Sequence, residues 1–246
     1  MDIFIKLTRN ELRLFFREPI VVFFSMLFPT VLVVILGSIP AFREHKPEIG
    51  GGTYVGIYVG VALALSLAML GLQFVPAVLS LYRERGILRR LATTPVRPVA
   101  LLGAQLAAAL LVAIVSGVLV TLVGRFAFDV ELPGQIVGYL LAYVLSAAGV
   151  FAIGLLVAAV VPTGKAGNAV GTVLFFPLMF FAGLWTPREV MPKVIQRIGD
   201  FTPLGAGERA LYETAAGHWP SLLPVVVLIG YLVVFGAAAA KLFRWE

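Results

Sequence analysis

The chain has 246 residues, 60% of them hydrophobic and 13% charged, and its mean hydropathy is +1.00. A soluble domain carries about 25% charged residues, so this composition excludes an ordinary aqueous globule and indicates an integral membrane protein. The net charge of +6 comes from basic residues that flank apolar runs, which argues against a nucleic-acid partner, and the absence of cysteine excludes disulfides, thiolate metal sites and a cysteine nucleophile.

Residues 1–18 set Ile3, Phe4, Leu7, Leu14 and Phe15 among Lys6, Arg9, Arg13 and Arg17. This predicts an amphipathic helix lying in the membrane interface, either as a topology anchor or as a mechanical part of the inner rim. Asp2, Glu11 and Glu18, with no small-residue cleavage site after the next apolar run, argue against a cleaved secretory signal. Six uncharged runs follow: Pro19–Phe42, Gly50–Tyr82, Pro98–Gly124, Leu132–Gly164, Ala166–Pro187 and Trp219–Ala240. Each supplies the roughly 20 apolar residues that a helix needs to cross a bilayer. None alternates polar and apolar residues as barrel strands do. The expected fold is therefore an all-α integral membrane protein with six transmembrane helices in one domain, 1–246.

Between the second and third runs lies a charged island, Leu81 to Pro95, in which Arg83, Arg85, Arg89 and Arg90 accompany Glu84, with Arg97 just beyond. Ile87, Leu88 and Leu91 recur at helical spacing. The segment 82–95 is predicted to be a short helix at the membrane surface, ended at Thr94-Pro95. Between the fifth and sixth runs, 187–218 is too charged to span. Its stripe of Val190, Val194, Ile195, Ile198 and Phe201 predicts one or two short re-entrant helices. Pro177, Pro187, Pro192 and Pro203 are expected to break any continuous helix there. Lysine and arginine are concentrated in the leader, the island, the 164–166 turn and the C-terminus, while Arg43, Lys46 and Arg125 stand alone in short opposite loops. That asymmetry places both termini in the cytoplasm.

The chemistry of an enzyme is missing from the pattern. No ionisable residue lies in the central part of any span, so the chain lacks an ion relay of its own. Ser116-Gly117 has no glycine-flanked nucleophile motif, and His45 and His218 fall outside the spans. Gly164-Lys165 resembles the end of a phosphate-binding loop, but Ala159 and Ala166 occupy positions where that loop needs glycine and Ser or Thr. Gln73, Gln105 and Asn168 are polar at membrane depth, and read as hydrogen-bonding links between helices. Gly56/Gly60 and Gly167/Gly171 have the spacing that lets helices approach closely.

The island carries Glu84, Gly86, Leu88, Leu91, Thr94 and Pro95 in an E-x-G-x-L-x-x-L-x-x-T-P pattern, and Pro177 to Gly183, Met191-Pro192 and Thr202-Pro203-Leu204 follow further on. Together they resemble a type-2 ABC transporter permease of the drug, lipid or polysaccharide exporter group, over essentially the whole chain. Ala182 and Thr202 stand where that family often has Ser and Asn.

The resemblance implies a permease subunit in the plasma membrane of a bacterium or archaeon. It would be paired with a second copy and driven by two copies of a separate ATPase that holds ATP and magnesium; this chain would bind no cofactor. Residues 82–95 would then be the coupling helix. Glu84 would orient it through charge pairing, Gly86 would permit close backbone approach, and Leu88 with Leu91 would fill an apolar cleft; Arg85 and Pro95 are the other residues of the implied coupling site. The alternative for these residues is a positive-inside anchor. Phe24, Phe28, Gln73, Asn168, Phe175 and Phe176 are the candidate substrate pathway, since the first and fifth spans line the dimer interface in relatives; these rings could equally face lipid. Phe outnumbers Tyr and Trp, 18 against 7 and 3, so the expected cargo is a hydrophobic or amphipathic drug or lipid-like molecule rather than a polysaccharide or glycolipid. A passive channel and a membrane scaffold are the other readings.

Overall fold

The computed structural model describes residues 2–46, 51–92 and 98–243. These residues are helical apart from turns and one isolated antiparallel bridge between His45 and Thr53. An amphipathic helix α1 (Asp2–Phe16) precedes the first span, α2 (Pro19–Gly37), and a single turn α3 (Pro40–Arg43). The second span α4 (Tyr54–Glu84) is followed by the short α5 (Ile87–Ala92). Then come the third, fourth and fifth spans, α6 (Pro98–Phe128), α7 (Ile136–Val160) and α8 (Gly164–Phe181). Two short helices, α9 (Lys193–Asp200) and α10 (Pro203–Ala215), lead to the sixth span, α11 (Leu222–Leu242). Each of the six expected apolar runs thus supplies one helix long and apolar enough to cross a membrane.

Helix starts follow local chemistry. Thr53, Thr163 and Thr202 each accept a hydrogen bond from the backbone N–H three residues on, and Pro19, Pro40 and Pro203 occupy first-turn positions where no N–H is needed. The centre of the bundle is α4, whose apolar window is 83% buried, whereas the windows of α2, α8 and α11 are at most 22% buried. Those three present their remaining faces outward, as membrane helices do to lipid.

Two of the spans are interrupted by a turn of π-helix, at Phe23–Leu27 in α2 and at Met69–Phe74 in α4. A proline follows each one, and the reason is the same in both. Pro29 has no N–H for Ser25 O, which instead accepts from Ser66 Oγ of α4 at 2.8 Å; Met26 O accepts from Ser116 Oγ of α6 at 3.3 Å. Pro76 likewise leaves the carbonyls of Gly71 and Leu72 without its donor. They press into glycine notches on neighbouring helices, Gly71 O at Gly154 of α7 and Leu72 O at Gly171 of α8. The small-residue spacing therefore has its predicted meaning at Gly167 and Gly171, where Pro76 O and Leu72 O take the place of a Cβ. At Gly60 nothing lies within 4 Å, so there the pattern marks no close approach.

The structure corrects two of the expected boundaries. Tyr82–Glu84 belong to the end of α4, so the separate surface helix is only Ile87–Ala92, and residues 93–97, including Thr94, Pro95 and Arg97, lie outside the described residues. Pro177 does not break α8, which continues to Phe181. Termination falls to Gly183 at φ +88°, with Gly183 N–H donating to Phe180 O and Leu184 N–H to Met179 O. In 187–218 two short helices form as expected; Val194, Ile198 and Phe201 are exposed, as are Lys193 and Arg197, while Arg188 and Asp200 are tucked inward and pair with each other.

Candidate coupling site

The chain turns from α4 into α5 at Arg85-Gly86. Gly86 sits at φ +66°, a left-handed conformation that strains any residue with a Cβ, and its N–H closes the turn onto Arg83 O at 2.9 Å. Nothing of this chain lies within 4 Å of where a Cβ would be, so the turn alone accounts for the glycine here. Beyond it, Leu88 is 1% exposed while Arg85 and Arg89 face outward. The expectation that Leu88 fills a partner's cleft is corrected: it anchors α5 to its own chain, because an aliphatic side chain beside a buried bundle end is better covered than left in water. The side chain of Leu91 and all of Pro95 lie outside the described residues.

Just before the turn, three consecutive residues fasten the end of α4 to its surroundings. Tyr82 Oη donates to both carboxylate oxygens of Glu11 on α1, at 3.0 and 3.2 Å. The Arg83 guanidinium donates to Ala158 O and Val161 O at the end of α7, each at 2.8 Å, and lies over the Phe243 ring after α11 at 5.1 Å. Glu84 Oε2 accepts from the N–H of Gly164, the first residue of α8, at 3.0 Å. Both charges match helix ends: a cation caps the carbonyls that close α7, and an anion meets the positive start of α8. Glu84 is the residue expected to orient the coupling helix through charge pairing; among the described residues it forms no ion pair, and it accepts from a backbone N–H across the bundle.

Glu11 was legible only as a charge in the leader, yet it is 4% exposed and lies with Thr8 and Phe15 on the face of α1 turned toward α6. Desolvation raises its carboxyl above the ordinary value, and the Tyr82 hydrogen bond opposes that in part. Phe15 closes the contact by meeting Phe74 of α4 edge-on at 5.1 Å.

The six candidate pathway residues do not converge within one copy. Phe24 is 44% and Phe176 54% exposed, Asn168 is exposed, Phe28 and Gln73 are half-buried, and Phe175 is buried. Phe23, Phe24 and Phe28 form one aromatic group on α2; Phe175 and Phe176 form another on α8, with Trp185 stacked on Phe176 at 6.0 Å. α2 packs on α4 and α6, whereas α8 packs on α4 and α10, which keeps the groups apart.

The opposite end of the bundle holds an ion network that the sequence pattern did not reveal. Asp200 pairs with Arg188 and, at 3.1 Å, with Arg209; Arg209 also reaches Glu213 at 2.8 Å. Glu213 accepts from the N–H and hydroxyl of Ser221, at 2.6 and 2.9 Å, which ties α10 to the start of α11. A cavity of about 400 Å³ opens there, lined by Arg188, Asp200, Glu208 and Arg209 among others. No cluster of His, Asp or Glu able to hold a metal occurs among the described residues.

Six helices long and apolar enough to span, with a charged, surface-facing element between the second and third, define the architecture of a multi-pass membrane protein. The chain belongs to the ABC-2 type transporter family, whose family model matches residues 3–214. Within that match it is a membrane permease domain, a transport element rather than an ATP-hydrolysing one. It is 25% identical over 202 residues to the inner membrane transport permease YhhJ of Escherichia coli (strain K12), covering 79% of this chain and 53% of the relative. YhhJ of Shigella flexneri gives the same figures, and a stretch of 66 residues is 32% identical to YvfS of Bacillus subtilis (strain 168), 27% of each chain. The chain spans about half the length of the two YhhJ relatives.

Proposed function

We propose that this chain is the membrane-spanning permease of an ATP-driven exporter in a prokaryotic plasma membrane. A separate ABC ATPase, holding ATP and magnesium, docks at α5, and two permease copies enclose the pathway. The observation that carries the reading is the end of α4. A surface helix with outward arginines hangs from it on a glycine turn, and the residues before the turn grip α1, α7, α8 and the segment after α11. A positive-inside anchor needs charge alone; it does not need side chains that join four neighbours. The charge asymmetry supports a cytoplasmic α5 and cytoplasmic termini. In this reading 1–246 is one domain, with α9 and α10 in the outer half of the membrane, where their exposed Val194, Ile198 and Phe201 meet lipid.

The proposed cargo is a hydrophobic or amphipathic molecule such as an apolar antibiotic or a lipid. Exposed Phe24 and Phe176 on α2 and α8 support it, because apolar walls with few polar groups suit such ligands. Pairing two copies through these helices would bring the separate aromatic groups to one seam.

Purification of the tagged chain from its host, followed by reconstitution with whatever ATPase accompanies it, tests the reading. ATP-dependent movement of a hydrophobic dye is the expected result; flux without ATP makes it a channel, and no flux a scaffold. In intact cells, an impermeant thiol reagent should label a cysteine at Glu44 and not one at Arg89, and the reverse overturns the topology. A deletion strain that lost surface glycan, while drug tolerance and lipid export were unchanged, would refute the cargo.

A further inference from the structure

Three consecutive residues of a helix point in directions about 100° apart, so Tyr82, Arg83 and Glu84 reach three sides of α4. Gly86 separates them from α5 by a single tight turn. A displacement of α5 therefore reaches the bundle through these residues as well as through buried Leu88. Arg83 passes it to the ends of α7 and α11, and Glu84 passes it to the start of α8.

The connection to α1 is of a different kind. Glu11 is a carboxylate on an otherwise well-covered face, and a buried carboxylate without a donor is strongly disfavoured. Tyr82 supplies the donor to both of its oxygens. α1 can therefore stay docked along α6 only while the end of α4 stays beside it. Besides this latch, Phe15 meets Phe74 of α4 edge-on at 5.1 Å, while on the outer face of α1 and just past its end Lys6, Arg9, Arg13 and Arg17 are exposed and form no ion pair among the described residues.

We infer, resting on the ATP-driven reading above, that Glu11 and Arg83 are positioning residues of the drive, and that α1 is a moving part of it, latched to the coupling element through Tyr82. A helix serving only as an anchor would present an apolar face to α6. The buried acid latched to the residue next to Arg83 is what makes its position depend on that of α5.

The test uses the complex isolated through a tag on this chain, with single cysteines introduced at Phe16 on α1 or at Val160 at the end of α7, both exposed. The rate of maleimide labelling is measured with and without ATP and vanadate, and expressed per ATP hydrolysed. In the parent both sites should respond. Tyr82→Phe and Glu11→Ala should each reduce the Phe16-site response at least fivefold, with no further loss in the double variant, while the Val160-site response persists. Arg83→Gln should do the reverse. Glu11→Gln, whose amide oxygen still accepts from Tyr82, should keep the response; a merely structural defect would reduce both sites together and would not be rescued. Parent-like responses in Tyr82→Phe and Glu11→Ala, or additive losses, overturn the inference and leave the ATP-driven reading intact. A parent complex that never responds to ATP overturns both.

Discussion

The same chemical change, glycine to alanine, should have opposite effects at two positions. In a helix this change is favourable by about 0.5–1 kcal/mol, because alanine loses less conformational freedom on folding. At Gly60 of α4 nothing lies within 4 Å of the added methyl, so Gly60→Ala should show that gain undiminished. At Gly171 of α8 the methyl would overlap Leu72 O and the Leu72 carbonyl carbon, which are backbone atoms of the π-turn and cannot rotate aside. Separating the helices undoes the fit and costs about 1–3 kcal/mol, so Gly171→Ala should be a net loss of up to about 2.5 kcal/mol once the helix-propensity gain is set against it. The two variants should therefore differ by roughly 1–3 kcal/mol, or about 2–12 °C in midpoint at about 2–4 °C per kcal/mol for a chain of this size. Unfolding in mixed micelles, followed by tryptophan fluorescence on the parent and both variants, measures the difference. Equal midpoints, or Gly171→Ala above Gly60→Ala, would refute the claim that the carbonyls freed by Pro76 seat α8 on α4.

Leu88→Ala should cost about 2–5 kcal/mol of local stability as expected for a buried leucine; hydrogen exchange should show α5 opening, and protection equal to the parent would place Leu88 at the surface. Gln105 is fully buried with neither amide atom hydrogen-bonded, so Gln105→Met should stabilise the chain by about 1–3 kcal/mol, the cost of an unsatisfied polar group; a lower unfolding midpoint would reveal a partner for it. The two ends should respond oppositely to acid. Burial raises Glu11, so its docked state favours the proton: docking of α1 is strongest below the ordinary carboxyl value of 4.5 and weakens as pH rises through the raised one. A spin label at Phe16 should gain mobility with pH in the parent and not in Glu11→Gln. For Glu213, burial acts upward, but hydrogen bonds from Ser221 and Arg209 prevail and lower it, so its contribution is present above 4.5 and is lost as pH falls through the lowered value. A label on α10 should therefore loosen in acid.

Much of this architecture was legible because one physical signal dominates it. Runs of about 20 uncharged apolar residues admit few structures in a bilayer other than helices, and all six runs formed them. The pair of short helices in 187–218 was readable from charge and stripe. The direction of the stripe was not, since periodicity identifies an apolar face without telling whether protein or lipid covers it. Pro177 was over-read and Pro29 and Pro76 were passed over for one reason: the effect of a proline depends on which neighbour takes up the freed carbonyl, and that is decided by side chains on other helices, Ser66 in one case and the Gly154 and Gly171 notches in the other.

The candidate site divides the same way. Glu84, Gly86 and Leu88 stood out by spacing, but spacing fixes only which residues share a face. Their roles come from partners about eighty residues away: Gly164 for Glu84, and Ala158 and Val161 for Arg83. The signal for Glu11 lay in its place on α1, four residues before Phe15 and three after Thr8, on the side opposite Arg9 and Arg13. An acid there shares the face that docks on the bundle, and such an acid needs a donor in the protein rather than in water. That argument makes the coupling element larger than its motif. On the proposed reading α5 receives the contact, and the residues that would give it a mechanical consequence lie just ahead of it, at the end of α4, and on a helix seventy residues earlier in the chain.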